Sequence, residues 1–320
     1  MPIELDPRAK ENQELYRQWR DARKDWEDEA RKDVDFFLGN HFTAGESSDL
    51  SSRNQADIPM DRVAPAVEKF KSMLTAKPPV FTVIPREDSD SQVAQIWRTI
   101  LGYVWDVSDG DAQMKQAIHD YTVTGLGYLY AYVDNNADFG RGDVKFTYVN
   151  PFRVYVPPDC RDRWFTDADG IILSTILTGD QVVNLYPQLG DQVDPETGEM
   201  IPGLIHDLST VLEEDYPEST LQNSIRAFTP AETKDKNWWG QEKYQILERF
   251  YPITVPFYRV VDSQTGQESI MDEEAFTVLL EENPGAFERG FMEFEEIPQP
   301  RVAVSASLGE VVLYEKVLNI

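Results

Sequence analysis

Apolar residues recur at three- and four-residue steps along the first forty positions of the chain. This spacing places them on one stripe of a helix with 3.6 residues per turn. The stripe comprises Leu15, Trp19, Ala22, Trp26, Ala30, Val34 and Phe37. The other positions are dense in charged residues at spacings that allow pairs four residues apart, and Gly39-Asn40 ends the pattern. One charged helix is therefore predicted, in which Trp19 and Trp26 pack on the core or on a neighbouring subunit.

A second amphipathic helix is predicted after a small, polar segment at 43–57, which itself has the composition of a loop. Its apolar face comprises Met60, Val63, Val67, Phe70 and Leu74. Pro78-Pro79 end it, because proline cannot continue a helix and restricts the residue before it. Phe70 is a further candidate for packing or for contact with another subunit.

Two more helices are predicted before the hydrophobic period changes. A short β-branched run at 80–85 predicts a strand, and an acidic run at 87–91 is suited to the start of a helix. The face of that third helix comprises Val93, Ile96, Trp97, Ile100, Val104 and Trp105. A fourth helix is predicted from about Gln113 to Gly125.

Strand-like patterns dominate the rest of the chain. Segments 128–134 and 143–149 flank a turn-rich stretch and predict a hairpin. Further strands are predicted at 153–156 and 170–177, a second hairpin at 243–251 with 254–262, and a third over 301–318 that turns at Ser307-Leu308-Gly309. Short helices are predicted at 178–189 and 272–283.

The order of these elements predicts an α+β fold: helices come first, then strand pairs that form largely antiparallel sheet. Four regions follow from this order. They are a helical part at 1–125, a β-rich segment with a short helix at 126–189, an acidic surface excursion at 190–240, and a second β-rich segment at 241–320.

The charge balance excludes a conventional nucleic-acid binder. The 320 residues include 30 Lys+Arg and 57 Asp+Glu, for a net charge of −27. A protein that holds DNA normally carries a basic face that neutralises phosphates, and an acidic chain is repelled by DNA and by anionic membranes alike. A hydrophobic content of 41% is nevertheless enough for a packed core.

Candidate chemical motifs mostly have structural explanations. Gly125-Leu126-Gly127 lacks the third glycine and the strand-then-helix order of a nucleotide-binding loop, and it predicts a helix C-cap. The run from Asp167 to Gly170 fails the calcium-loop spacing and predicts a turn. Cys160 is the only cysteine, so an intrachain disulfide and a Cys-rich zinc site are excluded. We expect no cofactor and no metal ion.

Catalysis has little support in the sequence. There is no G-x-S-x-G motif, and an acidic neighbour, Asp159, disfavours a Cys160 thiolate. Acid pairs such as Glu213-Glu214 and Glu295-Glu296 leave open an acidic hydrolase that uses two carboxylates. The overall charge leaves open a second alternative, an acidic host-takeover protein that mimics DNA.

Taken in order, several segments resemble the N-terminal part of portal proteins from short-tailed bacteriophages. The most similar run, 148–187, has Asn150-Pro151 and then Asp167-Ala168 at motif positions of the family, although Pro158-Asp159 reverses its usual Asp-Pro order. The other similar segments are 63–87, 96–111, 124–134, which contains Gly125 and Gly127, and 247–266. The resemblance extends over about residues 10–320.

This resemblance implies a structural subunit without catalytic residues. It implies a homo-oligomeric ring of about twelve subunits at one capsid vertex, closed by head-to-tail contacts. DNA would enter and leave through the channel without sequence-specific binding, with major capsid protein, terminase and tail or adaptor proteins as partners. The protein would be made in the host cytoplasm and end in the virion, away from any membrane. The chain would form the wing region, with stem, clip and crown absent or beyond its end.

Overall fold

A computed structural model describes the chain over residues 6–56, 58–85, 90–134, 137–193, 200–208, 243–262, 268–282 and 292–318. Helices and antiparallel sheet account for most of these residues, which confirms the predicted α+β class. The helices are α1 (Pro7–Ala22), α2 (Lys24–Phe37), α3 (Ala44–Ser52), α4 (Val63–Leu74), α5 (Ser91–Val107), α6 (Gly110–Thr124), α7 (Gly179–Leu185) and α8 (Glu273–Glu282). Within the described ranges no helix is long and apolar enough to cross a bilayer.

The strands form two hairpins and one larger sheet. They are β1 (Tyr128–Asp134), β2 (Asp143–Val149), β3 (Val154–Tyr155), β4 (Ile171–Thr178), β5 (Gln192–Val193), β6 (Met200–Ile201), β7 (Lys243–Asp262), β8 (Glu268–Asp272), β9 (Met292–Leu308) and β10 (Val311–Leu318). β1 pairs with β2, and β5 pairs with β6. The large sheet has the order β10-β9-β7-β4-β3, and β8 pairs with the distal end of β7.

β7 and β9 form a long antiparallel ribbon that extends beyond the other central strands. β4 pairs with β7 only over 243–250, whereas β9 follows β7 from Ile246 to Asp262. The ribbon contains four prolines in register positions close to one another, with Pro256 directly opposite Pro298 and with Pro252 and Pro300 nearby. α8 packs on β7 and β8 near the distal end.

Three apolar clusters hold the described chain together. The first lies between α7 and the sheet and includes Val182, Leu189, Ile205, Tyr244, Ile246 and Leu308. The second joins α1 to the sheet through Tyr16, Trp19, Tyr155, Ile172 and Leu247. The third joins α2 to the segment after β2 through Ala30, Val34 and Phe152.

Several local predictions are confirmed. The hairpin at 128–149 and the turn of the last strand pair after Leu308 are present, and the helices predicted at 178–189 and 272–283 occur as α7 and α8. Part of the predicted acidic excursion packs on the sheet through Ile205, whereas residues 194–199 and 209–242 lie outside the described part of the chain.

Four local predictions are wrong. The first helix is divided at Arg23, whose ψ of 5° ends α1. The predicted loop at 43–57 contains α3, because Thr43 and Glu46 form a reciprocal capping box. Residues 80–85 form no strand, and 243–262 form one continuous strand instead of a hairpin, since β9 pairs with β7 through the predicted turn.

Candidate functional site

Arg23 fastens the junction of α1 and α2 to the turn that follows β2. Its guanidinium donates to the carbonyl oxygens of Pro151, Phe152 (2.8 Å) and Val154, and its Nε donates to Glu27 at 2.7 Å. The guanidinium also lies 4.0 Å from the ring centroid of Tyr155. One largely buried cation therefore satisfies three backbone carbonyls and joins elements that are far apart in the sequence.

Asn150 and Pro151 build the turn that presents those carbonyls. The Asn150 side chain accepts from the Phe152 N–H at 3.0 Å and begins a single 3₁₀ turn, with Pro151 at its first position. Phe152 is only 2% exposed and packs against Trp26, at a centroid distance of 5.2 Å. These two motif positions thus act on the packing of α2.

Trp19 and Trp26 both pack inside the described chain. Trp19 lies among Tyr155, Ile172 and Leu247, and Trp26 donates from its indole nitrogen to the Thr124 carbonyl at 3.1 Å. Their role in contacts between subunits stays a prediction. Phe70 differs from both, because 48% of its surface is exposed on α4.

Gly125 and Gly127 control how α6 leads into β1. Gly125 ends the helix in the left-handed region, with φ of 81°. Gly127 passes so close to α6 that a Cβ there would overlap the Ala117 carbonyl oxygen. The pair therefore sets a tight helix-to-strand turn, and no phosphate-binding geometry is needed to explain it.

Asp167 organises the loop between β3 and β4. Its carboxylate accepts from the backbone N–H groups of Arg161 (2.8 Å) and Asp162 and from the Cys160 thiol (3.0 Å), whereas Ala168 continues the turn with a backbone bond to Phe165. The hydrogen bond to Asp167, together with burial, raises the pKa of Cys160 to about 11. This thiol therefore stays protonated near neutral pH and is unsuited to nucleophilic attack.

The acid pair Glu295-Glu296 is not arranged for catalysis. Both residues lie on β9, where consecutive side chains point to opposite faces, and Glu295 lies 3.8 Å from Arg259. Glu213-Glu214 lies outside the described residues. Over the described ranges there is also no group of three or more His, Cys, Asp or Glu side chains that could hold a metal ion.

Exposed apolar stripes lie on α4 and α5, which both pack on α6, and we call the two stripes together the open helix face. Its apolar side chains follow helical spacing, yet they are exposed: Phe70, Met73, Leu74, Val93, Ile96, Trp97, Ile100, Tyr103 and Val107. Trp97, for example, is 53% exposed. In contrast, only Val67 of α4 and Ala94 and Val104 of α5 are buried. Exposed apolar stripes of this kind mark sites of association.

Sequence reasoning did not identify the role of Arg23. A signal was present, because Arg23 lies four residues after Trp19 and three before Trp26, within the apolar stripe, with Glu27 four residues later. A charged pair in such a stripe indicates a buried, hydrogen-bonded cation. Its carbonyl partners are more than 120 positions away, so spacing alone did not reveal them.

Comparison with known families agrees with the order of these motifs. A family model described as Phage P22-like portal protein matches residues 13–318, nearly the whole chain. No curated protein matches it. Membership implies a component of the capsid that assembles as an oligomeric ring. The chain belongs to the P22-like phage portal protein family and is a structural subunit of a phage portal.

Proposed function

We propose that this protein forms a closed ring of about twelve copies at one capsid vertex, through which DNA passes during packaging and ejection. The family match over residues 13–318 carries the proposal. A closed cyclic ring requires that each subunit bind its neighbour through two different surfaces. The open helix face is an exposed apolar surface of the type that such a contact covers, which supports assembly through it.

DNA is expected to pass through the proposed ring without binding tightly to the channel wall. A wall that neutralised many phosphates would release counterions, bind the duplex tightly and slow its movement. The net charge of −27 disfavours such binding. Fixed negative charge near the channel would instead repel the duplex and lower the barrier to sliding.

We assign the chain a structural role in the virion, with chemical work left to its partners. The proposed partners are the major capsid protein, a terminase motor, and tail or adaptor proteins, and the subunit is made in the host cytoplasm before assembly. The protonated Cys160 thiol and the opposed side chains of Glu295 and Glu296 support the absence of catalysis.

Native mass spectrometry with negative-stain imaging tests the ring, and filter binding to duplex DNA over a range of salt concentrations tests the channel. We expect closed particles of about twelve subunits and no DNA affinity tighter than about 1 µM. Particles that are monomeric at high protein concentration would overturn ring assembly by this chain. Sub-micromolar binding that weakens steeply with salt would instead overturn the repulsive channel and leave the ring intact.

A further inference from the structure

The α4 part of the open helix face carries positive charge in a strongly acidic chain. Between Arg62 and Lys77 there are four cations, Arg62, Lys69, Lys71 and Lys77, and only one carboxylate, Glu68. Glu68 is paired with Lys71 at 2.5 Å. The other three cations are exposed and form no ion pair with any described residue. This face therefore combines exposed apolar side chains with unneutralised positive charge.

A second surface has the opposite charge, and we call it the acidic lobe: β8, α8 and the start of β9, over 268–282 and 292–296. Across these two ranges there is no lysine or arginine. All of their carboxylates are exposed: Glu268, Asp272, Glu273, Glu274, Glu281, Glu282, Glu293, Glu295 and Glu296. Arg259 of β7 neutralises part of this charge through Glu268, at 2.7 Å, and Glu295.

The acidic lobe also exposes apolar side chains. Ile270, Val278 and Phe294 are each more than half exposed, next to the buried ring of Phe276, which stacks on Tyr258 at 4.1 Å. An apolar centre among charged residues is typical of protein–protein interfaces, in which apolar burial supplies affinity and charge pairing fixes the orientation. Its composition therefore complements that of the open helix face.

The two surfaces belong to different parts of the subunit. α4 packs on α6 and α2, and α5 packs on β2 and α6, whereas the lobe packs on the distal end of β7. Both surfaces remain exposed, so neither covers the other within one chain. This arrangement provides the two unlike patches that a head-to-tail contact between identical subunits requires.

We propose that the acidic lobe of one subunit docks on the open helix face of the next copy around the ring. The inference rests on the proposed ring and names its contact. Burial of Trp97, Ile96 and Phe70 supplies the affinity, because removal of apolar surface from water is favourable. Pairing of Lys69 and Lys77 with lobe carboxylates fixes the direction of the contact and speeds encounter.

Charge exchange between the two surfaces tests this contact. One variant carries Lys69→Glu and Lys77→Glu, a second carries Glu281→Lys and Glu282→Lys, and a third carries all four substitutions. Lysine at the end of α8 is compatible with the helix dipole, so the second variant keeps its fold. Lys24→Glu with Lys32→Glu, on exposed positions of α2, changes net charge as the first variant does and serves as the control.

Native mass spectrometry at fixed low salt is expected to show at least a tenfold loss of ring in each two-site variant. The four-site variant should recover it, and the control should assemble as wild type does. Circular dichroism checks that each variant is folded. If both two-site variants form the ring as the wild type does, the proposed contact is overturned and the proposed ring stands. If the wild type itself is monomeric, both proposals are overturned.

A disulfide assay gives a second, direct measurement. In a Cys160→Ser background, Lys69→Cys and Glu282→Cys are combined in one chain and oxidised after assembly. The proposal predicts a ladder of covalent multimers on a non-reducing gel, and neither single cysteine variant should extend beyond a dimer. Failure of the double variant to form a ladder in an assembled ring contradicts the contact, and points to another segment or protein on the open helix face.

Discussion

The helix pairs α1–α2 and α4–α5 have similar amphipathic patterns, but the first pair packs its apolar side chains inside the subunit and the second exposes them. α1 and α2 bury or half-bury most of their apolar stripe, with Trp19, Ala30 and Val34 fully buried. α4 and α5 leave most of theirs in water. Helical periodicity therefore predicts which residues share a face, but it does not say whether the same chain covers that face.

The difference follows from what each pair meets. Asn12 of α1 donates to the hydroxyls of Ser305 (3.1 Å) and Ser307, and Arg23 and Phe152 fix α2 to the turn after β2. α5 instead has only β2 and α6 as substantial neighbours among the described elements. The first pair completes the core of the subunit, and the second is available to another molecule.

Matched truncation of two phenylalanines gives the largest expected contrast. Phe152→Ala removes a ring that is 2% exposed and should lower the free energy of unfolding by about 3–5 kcal/mol. Phe70→Ala, on the open helix face, should cost less than about 1 kcal/mol in the monomer. Urea denaturation under conditions that keep the chain monomeric measures both. Equal losses would mean that α4 is as firmly packed as α2.

Removal of Arg23 should have the next largest effect. Arg23→Ala leaves Glu27 and three backbone carbonyls without their buried donor, which should cost about 3 kcal/mol. Arg98→Ala removes the same side chain from an exposed position on α5 and should change stability by less than about 0.5 kcal/mol. Thermal unfolding compares the stability of the two variants. An Arg23→Ala variant as stable as the wild type would show that water replaces the guanidinium as the donor to these carbonyls.

The smallest effect concerns His119, a residue of α6 between the two helix pairs. It is 4% exposed, with the Phe37 ring at 4.9 Å on one side and Glu68 at 3.9 Å on the other, and neither ring nitrogen has a hydrogen-bond partner among the described residues. Burial, reinforced by Lys71 and opposed by Glu68, lowers the pKa of His119 below its usual value of 6.5. The folded protein therefore keeps this imidazole neutral.

This shift gives a defined pH dependence. Below pH 6.5 the unfolded chain binds a proton that the folded chain resists, so stability falls as the pH decreases. His119→Gln should remove the part of the acid sensitivity that comes from this imidazole, while the carboxylates of the chain continue to titrate. Urea midpoints of the two proteins between pH 8 and pH 5 measure the difference. Identical pH profiles would indicate that His119 is accessible to water in the folded state.

The sequence predicted what depends on near neighbours. Periodicity identified the helices α4 to α6 and the β1–β2 hairpin, because these patterns extend over a few turns or one strand pair. It missed α3, whose start depends on the Thr43 and Glu46 side chains. Periodicity also predicted two strands where β7 is one, because Pro252 and Pro256 are residues typical of a turn. Pairing with β9 keeps this stretch extended.

The candidate site shows the same limit. Asn150 and Asp167 were identified by the order of family motifs, and their hydrogen bonds follow from short-range geometry. The contacts of Arg23 and the exposure of Trp97 depend on the position of distant segments. Spacing cannot supply that information, because it is created only when the whole chain packs.

The β7–β9 ribbon is also a mechanical element. Its paired length corresponds to a beam of roughly 55 Å at the usual rise per residue. The pairing of β7 with β9 is unbroken through the opposed Pro256 and Pro298, with Pro252 and Pro300 beside them. All four prolines fall on alternate pairs of the antiparallel ladder, the pairs that exchange no N–H···O bonds, so the ladder needs no proline N–H. Load applied to the distal end of the ribbon is therefore carried along a continuous ladder to the core of the subunit.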